Sequence, residues 1–307
     1  MATPLAVVLL MSALWPRMNP NYGTTLQGRS FFGVIRVMEF GGEATHQRFL
    51  FSGTTLHGVQ FLDSRFKNMP TSYYGEATEI GLALSRKDEH PLNVGVTGLG
   101  VGTLTAYGHE GDSYRFDEID PTMVEIARDA GYFSFLTDSS ADVEVVLGDA
   151  RLSIAEEQNR GGSQEYDYLV VDAFSSDAIP VRLLTVEAFR HYAAALLPDG
   201  VLAVHVSNRN FNLMSLVTRI DFETELGTVH ALTQEAPSHQ SKTSHWVLMS
   251  QSPGRLRELV KFMSSRISAL KLPRNHLRLI QPYEAEVRHV PLWTDDYSDL
   301  LGALKWN

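Results

Sequence analysis

The sequence predicts an α/β protein: a seven-stranded, mostly parallel sheet covered by helices on both faces, preceded by a small antiparallel β-sheet. Three observations predict it. From Leu92 onward short apolar runs alternate with helical stretches, the pattern of a doubly wound sheet. The stretch Val94-Gly95-Val96-Thr97-Gly98-Leu99-Gly100-Val101-Gly102 joins an apolar strand to a glycine-rich turn. The region before it breaks into short β-rich runs separated by glycine pairs or polar turns.

A chain of 307 residues that is 44% hydrophobic can bury a large core, and its length suits one doubly wound domain with an N-terminal appendage. Thirty-six acidic against 26 basic residues give a formal charge of −10, which argues against a nucleic-acid partner and suits a cationic substrate. The absence of cysteine excludes disulfides, a thiolate nucleophile and a zinc knuckle, and is compatible with a cytoplasmic location.

Taken in order, the first element is the apolar run Leu5 to Leu14, too short to span a bilayer and followed by Trp15, Pro16 and Arg17. Residues 1–28 are either the trailing end of a membrane span or a packing arm. Residues 29–75 form the small sheet, with strands in Phe31 to Phe40, Arg48 to Ser52 and Leu56 to Phe61. Residues 76–307 form the nucleoside-binding unit. It opens with a helix from about Glu76 to Arg86. Strands are expected at 92–97, 113–118, 143–147, 167–172 and 201–206, and helices near 102–108, 121–130, 150–158 and 183–196. Thr228 to Thr233 and His245 to Ser250, joined by a polar loop holding Pro237, read as an antiparallel pair closing the sheet. That ending is typical of the S-adenosylmethionine-dependent methyltransferase fold and its relatives. Pro273 to Pro291 reads as a connection, and Ser298 to Leu304 as a last short helix.

Polar residues at the strand ends of such a sheet face the ligand crevice. Gly98, Gly100 and Gly102 let the backbone approach a ligand closely. Glu118 ends the following strand, where a carboxylate can accept both ribose hydroxyls. In Gly148-Asp149-Ala150 the acid can accept the adenine amine, cap the following helix, or do both. The strand Tyr168 to Val171 delivers Asp172 and then Asp177 into a loop over the crevice. His57 and His205 lie near the cleft and read as structural, and neither has the partners of a metal site. Asp295 and Asp296 either cap the last helix or close over an acceptor.

Taken with Leu56-His57-Gly58-Val59-Gln60 and Thr71-Ser72-Tyr73-Tyr74-Gly75-Glu76, the segment Asp172-Ala173-Phe174-Ser175-Ser176-Asp177-Ala178-Ile179-Pro180 resembles the spermidine synthase (polyamine aminopropyltransferase) family, and most closely its bacterial membrane-fused, spermidine synthase-like subgroup. Trp293-Thr294-Asp295-Asp296-Tyr297 is similar to the end of that subgroup. The resemblance implies transfer of an aminopropyl group from decarboxylated S-adenosylmethionine to a putrescine-like amine, releasing methylthioadenosine. It assigns Gln60, Gly98, Gly100, Gly102, Glu118, Asp149 and Ala150 to the nucleoside cofactor. Asp172, Tyr74 and Asp177 become catalytic, and Tyr73, Tyr74, Glu76 and Asp172 hold the amine substrate. No metal is implied, whereas a homodimer and a location at the inner face of a membrane are.

The chain departs from the family at two points. Val101 stands where an aspartate usually pairs with the cofactor's propylamine, and Ile80 where a histidine follows the tyrosine. Both fall on the side that recognises amines. Intact S-adenosylmethionine as cofactor, a methyltransferase, a cofactor-cleaving enzyme and a non-catalytic nucleoside sensor therefore stay open as alternatives, although Val96 replaces the acid that methyltransferases usually carry before the first glycine.

Overall fold

The computed structural model describes residues 23–43, 45–86, 90–128, 131–162, 164–172, 181–208 and 210–305. The N-terminal sheet has four antiparallel strands in sequential order: β1 (Gly23–Ser30), β2 (Gly33–Phe40), β3 (Gln47–Ser52) and β4 (Thr55–Phe61). It begins at Gly23, so the expected boundary at residue 29 falls inside β1. Residues 1–22, which carry the apolar run, lie outside the described residues. Among the described residues no helix is long and apolar enough to cross a membrane.

Among the described residues the main sheet has eight strands, where the sequence predicts seven. They are β5 (Asn93–Thr97), β6 (Ser113–Glu118), β7 (Asp142–Leu147), β8 (Tyr166–Val171), β9 (Leu196–His205), β10 (Gly227–Thr233), β11 (Ser244–Ser250) and β12 (Leu277–Ile280), in the order β12-β10-β11-β9-β8-β5-β6-β7. Strands β5 to β9 are parallel, and β10, β11 and β12 add antiparallel. The extra strand is a four-residue edge paired only with β10, too short to give a period-2 signal inside the expected connection. β8 lies between β5 and β9 and is buried along its whole length, as a strand covered on both faces must be.

The expected helix over 102–108 is a 3-10 turn, Thr103–Tyr107. The one expected over 76–86 is shorter, Glu79–Leu84, capped by the Thr78 hydroxyl. Ser298 to Leu304 is not a helix: the Asp299 carboxylate accepts from the Gly302 amide at 2.8 Å and closes a turn, and Leu304 bridges to Phe211. Helices Leu213–Thr224 and Pro253–Ala269 were not foreseen.

The small sheet sits against the carboxyl ends of β5 and β6. A Cβ on Gly58 would lie 2.3 Å from the Val101 side chain, so β4 and the glycine loop are in direct contact. The Ser30 hydroxyl donates to Asp120 at 2.5 Å, and Arg48 Nη1 donates to the Gly131 carbonyl at 2.8 Å. The ligand crevice is thus walled by both sheets.

Candidate functional site

The crevice holds two adjoining cavities, of about 400 and about 470 Å³. His57, Gly98, Gly100 and Asp172 line both, so the two meet at the carboxylate that ends β8.

The first cavity is built around the glycine loop and the acids that follow β6 and β7. Gly98, Gly100 and Gly102 take φ of 96°, 54° and 77°, a left-handed course open to glycine, and a Cβ on Gly100 would lie 2.8 Å from the His57 carbonyl oxygen. Glu118 ends β6 and is held rigidly: its carboxylate accepts from the Leu99 amide and the Asp120 amide, each at 2.9 Å. Burial pushes its pKa up, with those two amides opposing. Asp149 lines the cavity and also caps the helix Ala150–Asn159, accepting from the Leu152 amide at 3.1 Å. Ala150, Ile119, Met123 and Leu183 supply apolar wall.

At the junction, Asp172 is gripped from both sides. The Tyr74 hydroxyl donates to Oδ2, and His205 Nδ1 lies 2.7 Å from Oδ1. Burial, then the Asp172 charge, pushes the Tyr74 hydroxyl well up, which keeps it a proton donor. His205 is stacked on the Trp246 indole, centroids 4.6 Å apart and planes 12° from parallel, so its ring orientation is fixed by packing. Burial also lowers the pKa of His57, against the opposing pull of Asp172.

Tyr73 and Tyr74 line the second cavity as expected. Glu76 does not: its carboxylate lies 2.6 Å from His239 Nδ1, drawn to the loop between β10 and β11. Gln60 differs too. Its amide is spent on the Lys67 carbonyl and on Ser134, with bonds of 2.9 and 3.0 Å, and it lines neither cavity. Gly102 shapes the loop from behind, where a Cβ would meet Leu136. Asp177 lies outside the described residues. Asp295 caps no helix. It accepts from Arg151, at 2.6 Å through Nη1, and from Thr185 at 3.0 Å.

Histidines 57 and 205, read from sequence as structural, both line the site. His205 ends β9, so the strand-end rule that selected Asp172 would have selected it as well. His245 and Lys305, also in the second cavity, carry no local signal.

No family model matches the chain. It is 32% identical over 132 residues to a polyamine aminopropyltransferase of Vibrio vulnificus, covering 43% of this chain and 42% of that protein. It is 25% identical over 236 residues to a probable polyamine aminopropyl transferase of Bifidobacterium longum, covering 74% and 47%. The chain thus spans less than half the length of these curated relatives. A probable spermidine synthase from Corynebacterium glutamicum superposes with TM-score 0.61 at 14% identity, covering 91% of this chain and 98% of that one. A spermidine synthase in complex with the transition-state analogue AdoDATO gives 0.53 at 15%, covering 86% and 82%. In sequence and in fold the chain is spermidine synthase-like.

Proposed function

We propose that this protein is a spermidine synthase-type transferase that binds a sulfonium nucleoside of the S-adenosylmethionine kind in the first cavity and moves its alkyl chain to an amine at Asp172. The likeness to aminopropyltransferases and to a fold that accepts AdoDATO supports this reading. The observation that carries it is Asp172 itself, shared by both cavities and held by Tyr74 and His205. An aminopropyl group leaving decarboxylated S-adenosylmethionine for a putrescine-like diamine is the version that the likeness favours.

The chemistry asks little covalent work of the protein. A sulfonium is already activated, so the nucleophile has to be a neutral amine aligned with the carbon beside sulfur. Asp172 accepts the proton the amine must lose. Tyr74 and His205 fix which carboxylate lone pairs face the amine, and Glu118 and Asp149 hold ribose and adenine so that the reacting carbon lies at the cavity junction. The N–C bond forms as the C–S bond breaks, and the sulfur keeps the electron pair as the thioether methylthioadenosine.

Asp172→Asn tests it. Nucleoside binding, measured by calorimetry with methylthioadenosine, should be retained, while turnover of sulfonium and amine should fall by about 10²–10⁴, the range for a lost general base. Unchanged turnover would remove Asp172 from the chemistry, and unchanged turnover of zero in the parent protein would favour a nucleoside sensor.

A further inference from the structure

The second cavity is poorly matched to a dication. Among the described residues lining it, Asp172 is the sole carboxylate, and both of its oxygens already have partners. The acids that could have faced it are turned elsewhere: Glu76 pairs with His239, and Glu79 is bonded to Thr233 and Ser244. The same cavity is lined by Lys305, which is exposed, and by His245 and Asn208. Lys305 Nζ donates to the Asn208 carbonyl at 2.7 Å and has no ion-pair partner among the described residues. Burial, then the charge of Lys305 and His205, lowers the pKa of His245, so its imidazole is neutral at pH 7.

Lys305 is brought there by the fold. The Asn212 amide donates to the Ala303 carbonyl at 2.8 Å, and the Lys305 amide to the Asn210 carbonyl at 2.7 Å, pinning the C-terminal segment to the loop after β9. Independently, Val101 is fully buried against the small sheet, in the apolar cluster of Ile35, Val37 and Leu50. No acid from the glycine loop reaches the ligand's chain from that position.

An ammonium entering this cavity beyond Asp172 meets the like charge of the exposed Lys305 and finds no second carboxylate among the described lining residues. A carboxylate meets a cation and hydrogen-bond donors, the pairing such groups favour. We propose that the second cavity receives a carboxylate-bearing, amino-acid-type group in place of the far ammonium of a diamine, with Lys305 as its counter-charge. This rests on the nucleoside and transfer reading above. The carboxylate has two sources. It arrives on the donor as intact S-adenosylmethionine, so that a 3-amino-3-carboxypropyl chain is transferred, or on the acceptor as an amino acid. In both, the N–C bond replaces the C–S bond, sulfur keeps the electron pair, and the amine proton passes to Asp172.

The test is calorimetric and uses the whole chain. Methylthioadenosine is titrated first. S-adenosylmethionine is then compared with its decarboxylated form, and, with methylthioadenosine present, γ-aminobutyrate with putrescine, which differs in carrying an ammonium where the acid has a carboxylate. At least one carboxylate partner should bind about tenfold more tightly than its counterpart, and the pair that shows it identifies the source. Lys305→Glu should abolish that preference and leave methylthioadenosine affinity unchanged. Equal or tighter binding of both decarboxylated S-adenosylmethionine and putrescine overturns the inference while sparing the transfer reading. A carboxylate preference that survives in Lys305→Glu overturns the role of Lys305. No binding of methylthioadenosine overturns the transfer reading, and this inference with it.

Discussion

Glu79 is the group whose titration the structure predicts most sharply. It is fully buried at the start of the helix that follows Tyr73 and Tyr74, and its carboxylate accepts from the Thr233 amide at 2.7 Å, the Thr233 hydroxyl at 2.8 Å and the Ser244 hydroxyl. These bonds tie the segment carrying the two tyrosines to β10 and β11. Burial dominates and pushes the pKa from 4.5 up to about 7, with the hydrogen bonds opposing. Between those values the folded protein holds a proton that the unfolded chain has released. Stability therefore declines as pH rises through that window, by about 1.4 kcal/mol per pH unit and about 3 kcal/mol in all, and is flat above it. Glu79→Gln removes the titration while keeping an acceptor for the Thr233 amide and an NH2 group that Ser244 can accept. Urea unfolding from pH 4 to 8.5 should show wild type and variant close together near pH 4 and the variant more stable by about 3 kcal/mol at pH 8. Parallel stability curves across the whole range would refute the argument, because they would mean that Glu79 has the same proton affinity folded and unfolded.

Two further predictions separate structural from binding roles in the first cavity. Asp149→Ser keeps a side chain able to cap the helix Ala150–Asn159, so stability should change by less than about 0.5 kcal/mol, but the shorter side chain withdraws from the cavity and methylthioadenosine binding should weaken about tenfold. Equal loss from Asp149→Ser and no loss of cap in Asp149→Ala, read by calorimetry and thermal unfolding, would reverse that assignment. Gly100→Ala places a methyl 2.8 Å from the His57 carbonyl at a φ of 54°, so it should lower stability by about 1–2 kcal/mol and reduce nucleoside affinity together. An unaltered titration would show that the loop can move away without cost to the site.

The parts of the site that were legible in the sequence are those fixed by local pattern. Asp172 follows the largely apolar β8 directly and Glu118 ends β6, and a residue at the carboxyl end of a parallel strand faces the crevice. Asp149 was legible for the same reason, and its cap geometry is the ordinary one for an acid before a helix. Glu76 and Gln60 were assigned through the family resemblance alone, and at both a distant element competes. The Glu76 carboxylate pairs with His239, far along the chain, and the Gln60 amide bonds Ser134 and Lys67. β12 was missed because four residues on an edge give no period, and where a short helix was expected over Ser298 to Leu304 the Asp299 carboxylate closes a turn. Lys305 belongs to neither class. Its arrival in the cavity that Asp172 also lines depends on the bridge between Phe211 and Leu304, which no local signal encodes.

The overall charge of −10 makes the same point about the substrate. It invites a cationic ligand, but acid spread over a surface is screened within about 10 Å at ordinary ionic strength, so what selects a ligand is the wall it touches. The first cavity is lined by Asp117, Glu118, Asp120 and Asp149, and in the proposed pose these stand at the ribose and adenine end. At the junction, among the described residues, a sulfonium would face one carboxylate, Asp172, which balances a single positive charge. An amine entering from the second cavity must then be neutral to react, and anything beyond it meets Lys305. A diamine brings a second positive charge to that wall, whereas an amino-acid chain brings the charge that the wall lacks. Asp172 and Lys305 lining one cavity therefore favour a ligand that is itself a dipole, positive or reactive at one end and negative at the other.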